Sequence, residues 1–281
     1  MNQDEQLQWE VRWARPAAIA AFLSAAMLLV SSVLFFPKDR KAIEATPDLL
    51  LSIHERSGAY IASALLSALA ALLLVGVFLY LFRATLARGG GMPSWFVYLV
   101  VAAPILYAIS KVAYVFDVTD IADEFAGGTP IRGQRGADRA SDLSDASPGI
   151  LALQTAGAVG VAFLFVMLPI RARRVGLLTP FMGILGVIAG ALVVFPLGGV
   201  ASVLQAFWLG ALGMLFLGKW PGERGPAWES GRAEPWPTAA QRRGVVPMPG
   251  EPEPERELDP TPPEPEPVPE RPASRKRRPK R

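Results

Sequence analysis

Stretches without a charged residue divide the chain. Pro16–Phe36 runs for 21 residues, Ser57–Phe82 for 26, Gly89–Ser110 for 22 and Ala146–Ile170 for 25. After Lys111 the third stretch resumes as far as Phe116. The last, Val175–Gly218, covers 44 residues. A helix needs about 20 mostly apolar residues to cross a hydrocarbon core of roughly 30 Å. The last stretch is therefore too long for one crossing. Pro196-Leu197-Gly198-Gly199 lies inside it and signals a tight turn. The pattern predicts an all-α integral membrane protein. Its membrane domain, residues 1–218, would be a six-helix transmembrane bundle with spans at about 16–36, 57–82, 94–116, 147–170, 175–196 and 199–218.

Helix-start chemistry supports these spans. Proline suits the first helical turn, where its missing N–H costs nothing. Arg15-Pro16, Ser147-Pro148 and Thr179-Pro180 fit that pattern, and Ser57 and Ser147 read as N-caps. Pro104 should kink the third span. Small residues recur four apart at Ala17/Ala21/Ala25, Ala59/Ser63/Ser67/Ala71, Ala152/Ala156/Gly160, Gly186/Gly190 and Ser202/Ala206/Gly210. Such seams let helix backbones approach closely in lipid. Between the first two spans, Thr46-Pro47-Asp48 begins a further helix, expected to run on into the second span. Asp117, Asp120, Asp123 and Glu124 extend the third span outward. The first span begins with an acidic leader and ends without a small-x-small site, so it reads as uncleaved.

Composition separates the bundle from the rest of the chain. The protein has 281 residues, 51% hydrophobic and 19% charged, with a net charge of +3. Sixteen of the 26 prolines lie in the last 63 residues. Residues 219–281 therefore read as a disordered, polyproline-biased cytoplasmic tail. Glu251–Glu270 carries eight acids and one Arg, and Arg271–Arg281 carries seven basic residues and no acid. The tip residues Arg275, Lys276, Arg277, Arg278, Lys280 and Arg281 are candidate contacts for anionic lipid headgroups, with an unknown protein as the other candidate partner of the tail. Nucleic acid is not an expected partner, because charge alone argues for it and the neighbouring acids compete for the same tip. Counted by the positive-inside rule, nine Lys/Arg flank one side and seven lie in the longer loops of the other. That places both termini in the cytoplasm, with a bacterial cytoplasmic membrane as the expected location. Trp9, Trp13, Trp95 and Trp220 then read as interfacial anchors.

Little catalytic chemistry remains. There is no cysteine and one histidine, His54. Thiol chemistry, histidine clusters and H-E-x-x-H sites are excluded. No cofactor, metal site or catalytic residue is expected. Gly213–Lys219 has the spacing of a phosphate loop, but its interior is apolar and Trp220 replaces the hydroxyl residue. The remaining polar groups form a candidate pocket in the outer half: Lys111, Tyr107, Tyr114, His54, Asp117, Gln154 and Gln205. Lys111 has two readings, a substrate contact or a side chain snorkelling to the interface. Gln154 and Gln205 equally suit interhelical hydrogen bonds.

The segment Arg174-Val175-Gly176-Leu177-Leu178-Thr179-Pro180-Phe181-Met182-Gly183-Ile184-Leu185-Gly186, with Pro226-Ala227-Trp228-Glu229 and Glu234-Pro235-Trp236-Pro237, resembles uncharacterised bacterial multi-pass membrane proteins. The resemblance covers mainly residues 148–237 and implies no activity or site residue. Two functional expectations stand: a permease-like or sensor-like protein using the outer pocket, or a non-catalytic membrane scaffold acting through its tail. An intramembrane enzyme is not expected, since the usual acid, base and metal groups are missing.

Overall fold

The computed structural model describes residues 3–35, 46–127, 136, 138–140, 143, 148–195, 199–221 and 224–236. The tip residues 275–281 and the hairpin apex at 196–198 lie outside them, as does Ser147. Among the described residues eight helices follow in order: α1 (Gln3–Phe35), α2 (Thr46–Glu55), α3 (Ser57–Ala87), α4 (Phe96–Gly127), α5 (Pro148–Arg174), α6 (Pro180–Val194), α7 (Gly199–Phe216) and α8 (Pro226–Ser230). Among the described residues there is no strand.

Five helices, α1, α3, α4, α5 and α7, are long and apolar enough to cross a membrane. Their outward faces carry large apolar residues, among them Ile19, Leu23, Leu69, Ile105, Phe163 and Phe207, which are exposed on the protein alone. Such a belt belongs in lipid. The helices pack in a closed circuit: α1 on α3, α3 on α4, α4 on α5, α5 on α6, α6 on α7 and α7 back on α1. Phe78, Phe165 and Trp208 fill its centre with Leu81, Leu164 and Leu209.

The small-residue seams do part of the predicted work. Ala17, Ala21 and Ala25 are buried on α1. The α1–α3 contact is completed by Ser24 Oγ donating to the Ala70 carbonyl and Ser63 Oγ to the Ser31 carbonyl. Gly157 and Gly160 let α5 approach Tyr107 and Ala103 of α4, and Gly186 and Gly190 bring α6 onto Pro169 and Ala162 of α5. The α5 seam is turned from its expected register, because Ala152 and Ala156 are exposed.

Several boundaries differ from the sequence expectation. Pro16 lies inside α1, which begins at Gln3, because the polar leader continues the helix beyond the apolar span. Ser57 is the first residue of α3, and its cap position is Arg56, with no side-chain cap bond. Arg56 takes φ −126° and ψ 27° and separates α2 from α3, so the two do not form one helix. The predicted span at 175–196 is replaced by α6, of 15 residues and about 22 Å. Its start is set by Gly176 at φ +81° and by Thr179, whose hydroxyl accepts from the Met182 N–H at 3.2 Å. The Thr179-Pro180 start is therefore as predicted. Leu177 N–H donates to the Ala172 carbonyl and Gly176 N–H to that of Arg173. This is a Schellman closure, and α3 and α7 end in the same way at Gly89 and Gly218. The ends of α3, α5 and α7 and the start of α1 lie at one end of the circuit.

The expected boundary after Gly218 also moves. Residues through Trp236 belong to one compact unit, and Pro237–Arg281, the rest of the expected tail, lies outside the described residues. At the end opposite the N-terminus, α2 packs on α4, where Leu50, Ile53, Tyr60, Val115, Ala122, Phe125 and Ala140 make a satellite cluster.

Candidate functional site

The densest polar and aromatic arrangement lies at the N-terminal end of the bundle. Arg88 stands just past the end of α3, and Glu10 lies on the polar extension of α1. Their side chains are 0% and 2% exposed. The Arg88 guanidinium donates to Glu10 Oε1 at 2.6 Å and to Oε2 at 2.9 Å, a bidentate pair. It also donates to the Ala84 carbonyl at 2.9 Å and, through Nε, to the Ala227 carbonyl at 2.7 Å. Glu10 Oε1 accepts a further bond from Gln6 Nε2 at 2.8 Å. A buried charge is tolerated when it is paired and its remaining donors or acceptors are satisfied. Arg88 meets that requirement by bonding to α1, to its own helix and to the segment after α7.

That segment forms a collar. Gly225 leads into α8, and Trp228 of α8 is buried, with its Nε1 donating to the Leu177 carbonyl at 2.9 Å. Trp9 of α1 and Trp228 both stack on Tyr80 of α3, at 5.6 Å and 5.8 Å between ring centres. Phe216 meets Tyr80 edge-on at 4.7 Å. Tyr80 Oη donates to the Glu10 backbone carbonyl at 3.1 Å and accepts from Arg224 at 3.2 Å. The guanidiniums of Arg88 and Arg224 each lie near the Trp228 ring, at 5.4 Å and 5.2 Å. Gln3 Nε2 donates to the Ser230 carbonyl, adding a second tie between α1 and the collar. Beside these contacts opens a cleft of about 780 Å³ lined by Gln3, Gln6, Arg83, Arg88, Gly89 and Arg232, among others.

The sequence-predicted outer-half residues meet different partners. Lys111 Nζ lies 4.8 Å from the centre of the Tyr107 ring on its own helix. His54 Nδ1 meets Asp123 Oδ1 at 2.6 Å, with both side chains about half exposed. Gln205 Nε2 donates to the Ala189 carbonyl at 3.4 Å, an α7–α6 bond. Tyr114 is exposed, and Asp117 and Gln154 are half-buried. The structure thus joins Lys111 with Tyr107 and ties His54 to Asp123.

Glu10, Arg88, Tyr80 and Trp228 are not candidates on sequence grounds. Arg88 and Glu10 flank apolar spans, where a charge ordinarily meets headgroups or water. Their pairing links positions 78 residues apart, which no local pattern signals. Trp228 carries the one available hint, a large aromatic beyond the last span. Trp9 is a core stacking partner of Tyr80, whereas Trp13 and Trp95 are exposed as interfacial anchors would be.

The collar holds charged groups against each other in one network. Arg88 and Glu10 satisfy one another, Tyr80 donates to backbone and accepts from Arg224, and Trp228 donates to backbone, while Arg224 Nε and Trp236 Nε1 are buried without a partner among the described residues. Such a network fastens three chain segments together. The guanidiniums of Arg83 and Arg232 line the cleft, exposed and with no acidic partner among the described residues. No protein family's profile matches the chain, and neither does any curated protein or solved structure.

Proposed function

We propose that the protein is a non-catalytic multi-pass membrane scaffold whose collar anchors the root of the charged tail. The observation that carries this reading is the bond from Arg88 to Ala227 within a buried ion pair to Glu10. That bond fixes the segment after the last membrane helix against α1 and α3. Residues 237–281 continue from that segment, and their −7 and +7 blocks offer two opposite recognition surfaces to lipid headgroups or to a protein. In this reading α6 completes a sixth crossing despite its 15 residues, because Trp208 of α7 donates to the Met182 carbonyl and holds α6 alongside its neighbours. Six crossings put both termini on one side. Arg12, Arg15, Arg83, Arg171, Arg173, Arg174 and Lys219 gather at that end, which supports a cytoplasmic collar in a bacterial cytoplasmic membrane.

Cross-linking in native membranes tests the reading, comparing the whole chain with one lacking residues 237–281. A discrete cross-linked partner, lost on deletion and weakened by Glu10→Leu, is the expected result. A pattern unchanged by the deletion overturns it.

The alternative is a permease-like or sensor-like protein with its site around Lys111, Tyr107 and Tyr114. One observation favours it: Lys111 is held half-buried over an aromatic ring at membrane depth. A ligand-dependent signal abolished by Lys111→Met would support that site, and full retention would remove it.

A further inference from the structure

We propose that the protein binds an anionic phospholipid at the N-terminal end of the bundle, with its phosphate on Arg83 and Arg232 and an acyl chain between α1 and α3. The cleft there is lined by three arginines and two glutamines and by no carboxylate. Glu10 neutralises Arg88, which leaves two positive charges for a ligand. Arg83 and Arg232 are exposed, and among the described residues neither is paired with an acid. Arg83 instead lies over the Trp9 ring at 5.4 Å, which fixes its guanidinium at the cleft edge. Gln3 and Gln6 add polar side chains to the same wall.

A second cavity of about 200 Å³ shares Arg83 with the first. It follows the α1–α3 seam and is lined by Trp9, Trp13, Ala17, Gly76 and Leu79, with Tyr80 and Arg83 at its polar margin. Ala17 and Gly76 are small enough to leave a groove between the helices, and Trp13 and Leu79 give it apolar walls. Arg83 lines both cavities. One guanidinium therefore stands where a basic cleft turns into an apolar groove. Arg83 also directly follows the charge-free stretch Ser57–Phe82, which sets this junction at headgroup depth. A soluble anion would use the cleft alone, and a neutral lipid the groove alone. An amphiphile that joins a phosphate to hydrocarbon uses both. Basic pockets between membrane helices bind anionic headgroups in this manner. Neither arginine belongs to the polybasic tip at 275–281.

Native mass spectrometry of the full chain released from mixed micelles tests the assignment. The probes are phosphatidylglycerol, phosphatidylcholine with the same acyl chains, and glycerophosphoglycerol, the first headgroup without chains. Phosphatidylglycerol should be retained over phosphatidylcholine by about fivefold for each engaged arginine, roughly 25-fold for both. Arg83→Gln with Arg232→Gln should abolish that preference, and Arg83→Lys with Arg232→Lys should keep most of it. Both side chains are exposed, so an unchanged melting temperature should accompany each double variant. Glycerophosphoglycerol should bind far more weakly than the lipid. Equal retention of the two lipids overturns the proposal, as does a preference that survives loss of both arginines. Glycerophosphoglycerol binding as tightly as the lipid overturns it in favour of a soluble phosphate ester.

Discussion

The two ends of the bundle treat charge in opposite ways. At the N-terminal end a carboxylate and a guanidinium are almost wholly removed from water, and Arg88 makes four hydrogen bonds. At the other end His54 and Asp123 meet at a similar distance, with side chains 48% and 61% exposed. The contact distance is 2.6 Å in both, so geometry alone does not rank them. Solvent does. An exposed pair is screened and gains little. Removing one partner of a buried pair strands a charge where nothing replaces the lost bonds. The comparison teaches that the N-terminal end is the fastened one, and that its integrity depends on the pairing of Glu10 with Arg88.

The sharpest way to break that contrast is Glu10→Leu. It leaves Arg88 buried and unpaired and should lower stability by about 3–5 kcal/mol, read as a fall in thermal unfolding in detergent. Adding Arg88→Met should recover much of the loss, because an apolar pair of similar volume avoids the stranded charge. The recovery should stop short of the parent. The Ala227 carbonyl loses its donor, and an orphaned buried acceptor costs about 1–3 kcal/mol. A double variant as unstable as Glu10→Leu alone would show that the pair's charge does not govern this end.

Gly176→Ala probes the same end through the backbone. The added Cβ would overlap the Glu234 carbonyl oxygen, and the position has φ +81°. A left-handed conformation costs a residue with Cβ roughly 1–2 kcal/mol, and the clash must be relieved by moving the collar. Limited proteolysis within residues 219–236 should accelerate about tenfold while the bundle stays intact. Thr179→Ala is milder. It removes the cap on the Met182 N–H, and should lower stability by about 1 kcal/mol without exposing the collar to protease.

The contrast between the ends is only partly legible in the sequence. Length and hydropathy locate α1, α3, α4, α5 and α7, because a crossing helix must be apolar over a fixed length. Thr179-Pro180 announces α6, since cap and proline chemistry act within four residues. The shortness of α6 is hidden, because Val175–Leu178 are apolar and yet are used in a closing turn and a buried contact. The collar is hidden for a related reason. Residues 219–236 share proline and charge with residues 237–281, and composition averages over the two. Burial of Trp228 rests on a slot formed by Tyr80, Phe216 and Leu177, which three separate helix ends supply. Likewise, sequence position gives an expected height for Lys111, His54 and Gln205 but not which neighbour each side chain meets.

The smallest effect belongs at the opposite end. His54→Gln and Asp123→Asn each remove one side of an exposed contact, so each should change stability by less than about 1 kcal/mol. The double variant should behave nearly as either single variant. Packing at this end comes from Leu50, Ile53, Tyr60, Val115 and Phe125, which those substitutions leave in place. Raising ionic strength should shrink any charge contribution to the single-variant effect, since exposed charges are screened over about 10 Å at 0.1 M salt. The same salt change should leave the Glu10→Leu penalty almost untouched, because Arg88 has no access to counterions. Parallel melting curves at low and high salt would therefore separate the two ends. A Glu10→Leu penalty that falls with added salt would mean that water and counterions reach the collar, and the distinction between a fastened and an open end would fail.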